Sequence, residues 1–435
     1  MIVHVVGAGL AGSEVVYQLA IRGIEVVLHE MRPIKMTEVH KTDLFAELVC
    51  SNSLKSEDPV NAEGLLKKEM KLLGSLILEE AYKAKIPAGK ALAVDRERFS
   101  KGVTERIKNC PGVSIIREEI KSLTPSSDEI WVVATGPATS PSLTAFLKEL
   151  LGEHFLHFFD AVAPIVTYET VNLSKVFFGD RFEKESKDYI NCPLDKEDYE
   201  RLWKALVEAE TIEIEDFDKK LLFERCKPIE EIAKSGKDAL RFGPLRPTGL
   251  VDPRTGKEPY AVVQLRRDNM EGTLYNLVGF QTRLKWKEQK KVIRIIPGLE
   301  KVEIVRYGVM HRNIYINSPK VLDPFMRLRK DKRIFFAGQI TGVEGYVESA
   351  ASGIYVAYNI YRMLRGKEPV RFPRETMLGS LFHYVIEGCV GDLKPMYANF
   401  GLLPKIGVRD RFERRRKLSE IAIKSLENFL KEHPW

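Results

Sequence analysis

The opening of the chain constrains its fold more than any other stretch. An apolar strand at Ile2–Val6 runs into Gly7-Ala-Gly9-Leu-Ala-Gly12, a helical pattern follows, and a second apolar strand ends at Glu30. This order is typical of a βαβ dinucleotide-binding unit. Its glycines allow a tight turn and close approach to a pyrophosphate at the helix N-terminus, and its acid bonds ribose hydroxyls. The pattern favours a nucleotide site over a merely tight turn.

A second glycine-rich stretch, far along the chain, looks like the other half of the same site. Phe335-Phe-Ala-Gly338-Gln-Ile-Thr-Gly342-Val-Glu-Gly345-Tyr346 follows an apolar strand and precedes a long apolar helix, Val347 to Leu364. Together the two halves suggest a bound flavin dinucleotide. Because there is no second G-x-G-x-x-G unit, NAD(P)H, if used, is expected to bind transiently over the flavin. A resident NAD that exchanges hydride with a small alcohol is the weaker interpretation.

The alternation of strands and helices predicts a doubly wound parallel sheet. Helices are predicted from Glu63 to Lys85 and from Arg96 to Lys108, and strands at 113–117 and 130–134. The second of these strands enters Ala134-Thr135-Gly136-Pro137. That turn would expose amides near a cofactor, although by itself it favours an ordinary strand end.

Between residues 155 and 307 the pattern changes to short alternating strands and an acidic helical stretch from Asp198 to Glu215. We therefore predict an α/β fold with a discontinuous Rossmann-like FAD-binding domain, residues 1–154 and 308–435. A mixed α/β substrate domain, residues 155–307, is inserted into it.

Composition excludes several classes of protein. No apolar run approaches the roughly 20 residues needed to cross a bilayer, and the N-terminus is already the first strand, so no membrane partner and a cytoplasmic location are expected. The 5 cysteines are scattered and never form C-x-x-C, which indicates neither a disulfide framework nor a metal site. No obligate protein partner is inferred.

Two thiols are candidates for chemistry. Cys226 lies between Arg225 and Lys227, cations that favour the reactive thiolate, and Cys50 ends an apolar run shortly after the nucleotide half-site. From the local sequence alone, a structural role for each cysteine remains the stronger alternative.

Basic residues concentrate near the end of the chain with aromatic residues among them. Such a patch can bind a phosphate backbone while its aromatics stack on bases, although most charge runs are solvated helix faces. The members of the patch are Lys405, Arg409, Arg411, Arg414, Arg415, Arg416 and Lys417, with Tyr397, Phe400 and Phe412.

Several blocks resemble one family closely, the folate- and FAD-dependent tRNA (uracil-5-)-methyltransferases, over nearly the whole chain and in the same order. The blocks are Gly7-Ala-Gly-Leu-Ala-Gly-Ser-Glu14, Glu30-Met-Arg-Pro33, Phe45-Ala-Glu-Leu-Val-Cys-Ser-Asn-Ser-Leu54, Pro87-Ala-Gly-Lys-Ala-Leu-Ala-Val-Asp95-Arg96, Phe242-Gly-Pro-Leu-Arg-Pro-Thr-Gly249, Asn276-Leu-Val-Gly-Phe-Gln-Thr282 and Ala337-Gly-Gln-Ile-Thr-Gly-Val-Glu-Gly-Tyr346.

The resemblance implies that methylenetetrahydrofolate donates a carbon, reduced FAD supplies electrons and NAD(P)H recharges the flavin, which produces 5-methyluridine in the T loop of tRNA. Cys226 is then the nucleophile that adds to uracil C6, and Cys50 removes the C5 proton or shelters the carbon unit beside the flavin. His311 stacks on the pterin, although a satisfied core histidine is nearly as good an interpretation.

The predicted site therefore has three parts. Cysteines 50 and 226 are catalytic, and His311, Arg409, Arg411, Arg414, Arg415 and Arg416 bind substrate. The cofactor is expected at Gly7, Ala8, Gly9, Leu10, Ala11, Gly12, Glu30, Arg32, Ala134, Thr135, Gly136, Gly338, Gln339, Gly345 and Tyr346.

Two alternatives stay open at this point. The related flavoprotein that modifies wobble uridines with a GTPase partner shares the glycine turn, but it usually carries a longer helical C-terminal domain. A flavin-containing RNA-binding protein without turnover is the second alternative.

Overall fold

The computed structural model describes residues 1–37, 39–152, 155–161, 163–181, 188–212, 227–268, 272–308, 310–388, 393 and 395–435. The strands are β1 (Ile2–Val6), β2 (Val26–His29), β3 (Ser53–Ser56), β4 (Lys85–Ile86), β5 (Ala91–Val94), β6 (Val113–Ile116), β7 (Glu129–Val133), β8 (Phe155–Ala161), β9 (Ile165–Thr167), β10 (Phe177–Phe178), β11 (Tyr189–Leu194), β12 (Ala261–Arg267), β13 (Leu274–Leu277), β14 (Ile304–Arg306), β15 (Met310–Ile316) and β16 (Ile334–Phe336).

The α-helices are α1 (Leu10–Ala20), α2 (Ala62–Leu72), α3 (Leu76–Lys83), α4 (Arg96–Lys108), α5 (Pro141–Leu151), α6 (Lys196–Glu208), α7 (Ile229–Lys234), α8 (Ala239–Phe242), α9 (Trp286–Ile293), α10 (Ser318–Val321), α11 (Tyr346–Leu364), α12 (Met377–His383) and α13 (Arg411–Glu432). Among the described residues, no helix combines the length and the apolar character that a membrane crossing requires.

A five-stranded sheet in the order β16-β7-β1-β2-β6 forms the centre of the larger core. Every pairing in it is parallel. The last strand, from beyond residue 330, pairs with β7, so the two ends of the sequence build one sheet. The predicted α/β, Rossmann-like fold is confirmed, with α1 and α11 packed against each other beside the sheet.

A second sheet, in which every pairing is antiparallel, has the order β10-β11-β12-β13-β9-β14. Its residues and helices α6, α7 and α9 enclose a separate apolar core that runs from Val166 to Val302. The predicted acidic helix, Asp198 to Glu215, is α6, Lys196–Glu208. It begins earlier than predicted because Asp195 caps it by accepting a hydrogen bond from the Asp198 amide, and it ends earlier, at Glu208. The domain boundaries predicted from the sequence stay a prediction.

One sequence expectation was wrong. The single helix predicted from Glu63 to Lys85 is two helices, α2 and α3. Gly74 takes a positive φ of 76°, and the Ser75 hydroxyl then caps α3 by accepting from the Leu78 amide at 3.2 Å. A glycine followed by an N-cap serine is a helix stop and start that overrides the apolar periodicity.

Candidate functional site: a dinucleotide cleft that ends at a cysteine

The glycine turn, residues 7–12, joins β1 to α1. A Cβ on Gly7 would lie 2.9 Å from the Ala134 carbonyl oxygen, and one on Gly12 would lie 1.9 Å from the Gly7 oxygen. A Cβ on Gly9 would meet only the Ala134 oxygen, at 4.0 Å. Protein packing therefore demands glycine at two of these positions, whereas at Gly9 the missing side chain leaves open space at the N-terminus of α1.

The carboxylate of Glu30 closes the other side of the turn. It accepts hydrogen bonds from the Ala8 amide at 2.9 Å and from the Arg32 Nε at 2.9 Å. Burial alone would raise the pKa of Glu30, but these bonds outweigh burial and lower it. The acid is thus ionised and held at the end of β2, where a ribose is bound in this class of turn.

A cleft opens above the carboxyl ends of the parallel strands. Ligands of doubly wound sheets bind at this edge. Its predicted lining residues are Gly7, Ala8, Gly9, Leu10, Ala11, Glu30, Arg32, Ala134, Thr135, Gly136, Gly338, Gln339 and Tyr346.

Gly12 and Gly345 are not among the residues that line the cleft. Gly12 packs behind the turn against Gly7, and Gly345 precedes α11 with a φ of 115°. A Cβ on Gly345 would lie 2.2 Å from Oε2 of Glu348. Both glycines shape the backbone that carries the cleft.

Sequence reasoning missed part of the wall. Thr37, Val39, His40 and the stretch 118–120 also line the cleft. Burial and the nearby Arg32 cation lower the pKa of His40 to about 4, so its imidazole is neutral at pH 7. No local pattern marked these residues, because loops from distant parts of the chain bring them together.

The Cys50 loop, residues 48–52, lies at the Tyr346 end of the cleft. The Tyr346 hydroxyl accepts hydrogen bonds from the amides of Cys50, at 2.7 Å, and Ser51, at 3.2 Å. Val49 and Tyr346 both line the cleft. The half-buried Cys50 is therefore held at the edge of the cleft, and its predicted catalytic role stays a prediction.

Two guanidinium groups also hold this loop. Arg96 donates to the carbonyls of Leu48, at 2.6 Å, and Cys50, at 3.1 Å, while Arg306 donates to Val49. Burial alone would lower the pKa of Arg96, but Asp268, Tyr346 and Cys50 raise it. Nearby cations stabilise a thiolate. The loop therefore provides surroundings suited to a reactive sulfur.

The other cysteines differ. Burial raises the pKa of both Cys110 and Cys192, and Cys192 is fully buried in the smaller core. Cys226 and Cys389 lie outside the described residues. The prediction that Cys226 is the nucleophile stays a prediction.

The residues on either side of the Cys226 segment are fixed to one short stretch, 281–284. Ile212 donates to the Arg283 carbonyl at 2.9 Å, and Ile229 donates to the Gln281 carbonyl at 2.7 Å. Glu230 accepts from the Thr282 hydroxyl and the Arg283 amide, both at 2.8 Å. The chain thus leaves and returns at the same place, directly before α9.

His311 lies in β15, where it pairs with Asp160 of β8 in register. β15 runs beside the helical turns Gly136–Ala138 and Gln339–Thr341, whose residues contribute to the cleft wall. The side chain of His311 is outside the described residues, so its predicted role remains a prediction.

The predicted basic patch lies on and before α13. An apolar stripe of this helix, Leu418, Ala422, Leu426 and Phe429, is buried in the larger core. Arg416 is paired with Glu413 at 2.8 Å, and Arg415 lies over the Phe400 ring at 5.5 Å. Among the residues the structure describes, Arg409 and Arg411 form no ion pair and are exposed. Part of the patch is neutralised, and RNA binding there stays a prediction.

The fold and the cleft define a class, the dinucleotide-binding proteins built on a discontinuous Rossmann-type sheet. The family described as Glucose inhibited division protein A matches residues 2–368. Two crystal forms of Aquifex aeolicus GidA have the same fold, with TM-scores of 0.70 and 0.69 at 16% and 17% identity. They cover 99% of this chain and 75% and 78% of their own.

Much more similar sequences are named Methylenetetrahydrofolate--tRNA-(uracil-5-)-methyltransferase TrmFO. The Thermotoga neapolitana and Thermotoga maritima proteins are 69% and 70% identical, over 100% of both chains in each case. A Pseudothermotoga lettingae protein is 59% identical over 100% of this chain and 97% of its own. The chain therefore belongs to the TrmFO family, which confirms the resemblance seen in the sequence.

Proposed function

We propose that this protein is a folate- and FAD-dependent tRNA (uracil-5-)-methyltransferase, which transfers a carbon from methylenetetrahydrofolate to a tRNA uridine. The observation that carries the proposal is the position of Cys50, held by Tyr346 and Arg96 at the end of the dinucleotide cleft. Full-length relatives of 69–70% identity carry the name of this activity.

FAD fits the residues that form the cleft. The space above Gly9 admits a pyrophosphate at the N-terminus of α1, and Glu30 lies where a ribose is held. When bound and reduced, FAD supplies the electrons for the reductive methylation. Tyr346 and Gln339 line the cleft, and the Tyr346 hydroxyl also holds the Cys50 loop.

The two cysteines divide the remaining chemistry. Uracil C5 becomes nucleophilic once a thiolate adds at C6, and Cys226, with its flanking cations, is assigned to that addition. Cys50 is assigned to removal of the C5 proton, because two arginines next to it favour the thiolate that accepts it. Loss of the C5 proton allows tetrahydrofolate to leave and the transferred carbon to stay on C5 as a methylene. This carbon becomes a methyl group by accepting a hydride from bound, reduced FAD, and the Cys226 sulfur leaves C6 as the pyrimidine is restored.

Four finer assignments accompany this proposal. The target is the T-loop uridine of tRNA, NAD(P)H reduces the flavin, and His311 contacts the folate. β15, which carries His311, lies beside the cleft. Exposed Arg409 and Arg411, with the rest of the C-terminal basic patch, bind tRNA phosphates.

The nucleophile is tested with Cys226→Ala and, as a matched control, Cys110→Ala. We expect the first variant to keep FAD and to lose tRNA methylation by at least about 1000-fold, because alanine cannot form the covalent bond to uracil C6 and Cys50 is assigned to a different step. Cys110 has a thiol that burial holds protonated, so its variant keeps wild-type activity. Nucleoside analysis of tRNA measures both. Full activity of Cys226→Ala would remove the nucleophile assignment.

The carbon source is tested by labelling. Unmodified tRNA is incubated with the protein, NADPH and either labelled methylenetetrahydrofolate or labelled S-adenosylmethionine. Label from the folate alone is expected in 5-methyluridine. Label only from S-adenosylmethionine, or none from either donor, would contradict the proposed function.

A further inference from the structure

Helix α9 presents an unusual surface. Trp286 is 61% exposed, and it is the only exposed tryptophan among the described residues. Gln289, Val292 and Ile293 form the buried face of the helix. The exposed side chains that share the other face with Trp286 are all cations: Lys287, Lys290, Lys291 and Arg294. An exposed indole ring with several cations beside it is suited to an anionic aromatic ligand.

The indole ring is held in place from one side. Tyr307 stacks on Trp286 with ring centroids 5.4 Å apart and an angle of 16°. The Gln289 side chain donates to the Gly308 carbonyl and accepts from the Gly308 amide, both at 2.8 Å. This pair of bonds fixes the chain next to Tyr307 against α9, so the two rings form a rigid stack whose outer side is open.

The charges around the stack are only partly compensated. Lys285 pairs with Glu210 at 2.8 Å, and Lys291 pairs with Glu288. Lys287 and Lys290 form no ion pair with any residue that the structure describes. Lys290 is one helical turn from Trp286 on the same face, the separation at which side chains of a helix are neighbours.

This surface is bonded to the Cys50 loop at one point and to Ile212, the last described residue before the Cys226 segment, at another. Arg306, next to Tyr307 in the chain, donates to the Val49 carbonyl of the Cys50 loop. Arg283, three residues before Trp286, makes two hydrogen bonds with Ile212. Its carbonyl accepts from the Ile212 amide at 2.9 Å, and its guanidinium donates to the Ile212 carbonyl at 3.0 Å. The stack is therefore fixed to the same framework as the site of chemistry.

We propose that Trp286 and Tyr307 form a stacking platform for an unpaired base of the tRNA substrate, with Lys287 and Lys290 holding the adjacent phosphates. The proposal rests on the proposed function, which supplies an RNA substrate. Bases stack on aromatic side chains whatever their identity, and phosphates are bound by neighbouring cations, so this arrangement fits a looped-out or single-stranded segment.

Binding of unmodified tRNA to the full-length, flavin-loaded protein tests the platform. We expect Trp286→Ala to weaken Kd about 10-fold or more and Trp286→Phe to stay within about 3-fold of wild type, because Phe retains a stacking face. Tyr82→Ala is the matched control, since Tyr82 is 42% exposed on the far end of α3. Flavin content and the rate of NADPH oxidation without tRNA should not change in any variant.

Salt dependence separates the two parts of the platform. The double variant Lys287→Gln/Lys290→Gln should lower the slope of log Kd against log salt concentration by about 1 to 2, while Trp286→Ala should leave that slope unchanged. Lys108→Gln, at the exposed end of α4, serves as the charge control. An unchanged slope in the double variant would remove the lysines from the proposal.

The outcomes distinguish this proposal from the proposed function. If wild type methylates tRNA and Trp286→Ala binds it within 2-fold of wild type, the platform is wrong and the enzyme assignment stands. The same holds if Trp286→Phe loses as much affinity as Trp286→Ala, because a stacking role requires rescue by the smaller ring. A wild-type protein that neither binds nor methylates tRNA would overturn both.

Discussion

The glycine turn and the Cys50 loop lie at two ends of one cleft, and they are built in opposite ways. In the glycine turn, main-chain groups and missing side chains make the surface, and the residues concerned are close in sequence. In the Cys50 loop, long side chains from distant elements, Tyr346, Arg96 and Arg306, hold the backbone. The first arrangement depends on the local sequence, and the second depends on contacts between elements that are distant in the sequence.

This difference has an energetic side. The turn is supported by strand pairing and by tight packing, so it is fixed wherever the sheet forms. The Cys50 loop depends on a few hydrogen bonds to buried groups, each of which contributes about 0.5–1.5 kcal/mol. Small changes at that end should therefore alter activity before they alter stability.

Within this comparison, the largest expected effect is a difference between two glycines of the turn, Gly9 and Gly12. Gly9→Ala places a methyl group in open space, so the apoprotein should keep its melting temperature while FAD binding weakens about 100-fold or more, because the methyl occupies the pyrophosphate position. Gly12→Ala instead clashes with Gly7 and should destabilise the fold by about 1–3 kcal/mol. FAD titration and thermal unfolding measure the two. Wild-type FAD affinity in Gly9→Ala would contradict the assignment of the turn.

A smaller effect is expected at the other end of the cleft. Tyr346→Phe removes the oxygen that accepts hydrogen bonds from the amides of Cys50 and Ser51. The kcat for tRNA methylation should therefore fall about 10-fold, while FAD affinity should change little. Tyr355→Phe is the control on the same helix, because its hydroxyl donates to the Pro324 carbonyl away from the cleft. Equal losses of activity in both variants would show that the effect is not local to the loop.

A third expected effect concerns stability rather than activity, and it is a change in pH dependence caused by Glu14 in the helix that follows the turn. Burial raises the pKa of Glu14 to about 7, against the hydrogen bonds it accepts from Ser75 and Ile77. The pKa of Glu14 in the folded protein lies above its unfolded value of 4.5. Its contribution to the free energy of unfolding is therefore complete below pH 4.5 and is lost as the pH rises through 7.

Glu14→Gln removes this titration. Between pH 5 and pH 8 the free energy of unfolding of wild type should therefore fall relative to the variant by up to about 3 kcal/mol. The melting temperature of wild type should fall with it. Thermal unfolding at several pH values measures it, with any pH-independent cost of the substitution subtracted at pH 5. A constant difference across this range would show that Glu14 is not protonated in the folded protein.

The sequence predicted the turn well because its requirements are local. Spacing alone placed Gly7, Gly9 and Gly12 between a strand and a helix, and the structure assigns each a distinct steric reason. The same local reasoning failed from Glu63 to Lys85. The apolar periodicity continues across Gly74, but the helix ends before this glycine and a new helix begins after it. It also left the turn after Ala134 undecided until β7 was seen to end at the cleft.

The sequence by itself determined the parallel sheet, the dinucleotide turn and the identity of the candidate thiols, because strand–turn–helix periodicity and glycine spacing act over a few residues. Only the tertiary structure decided that Tyr346 and Arg96 hold Cys50, that His40 is neutral in the cleft wall, and that Trp286 stacks on Tyr307. These contacts join residues up to 296 positions apart. Their geometry and the electric field at each group depend on packing, which no local pattern contains.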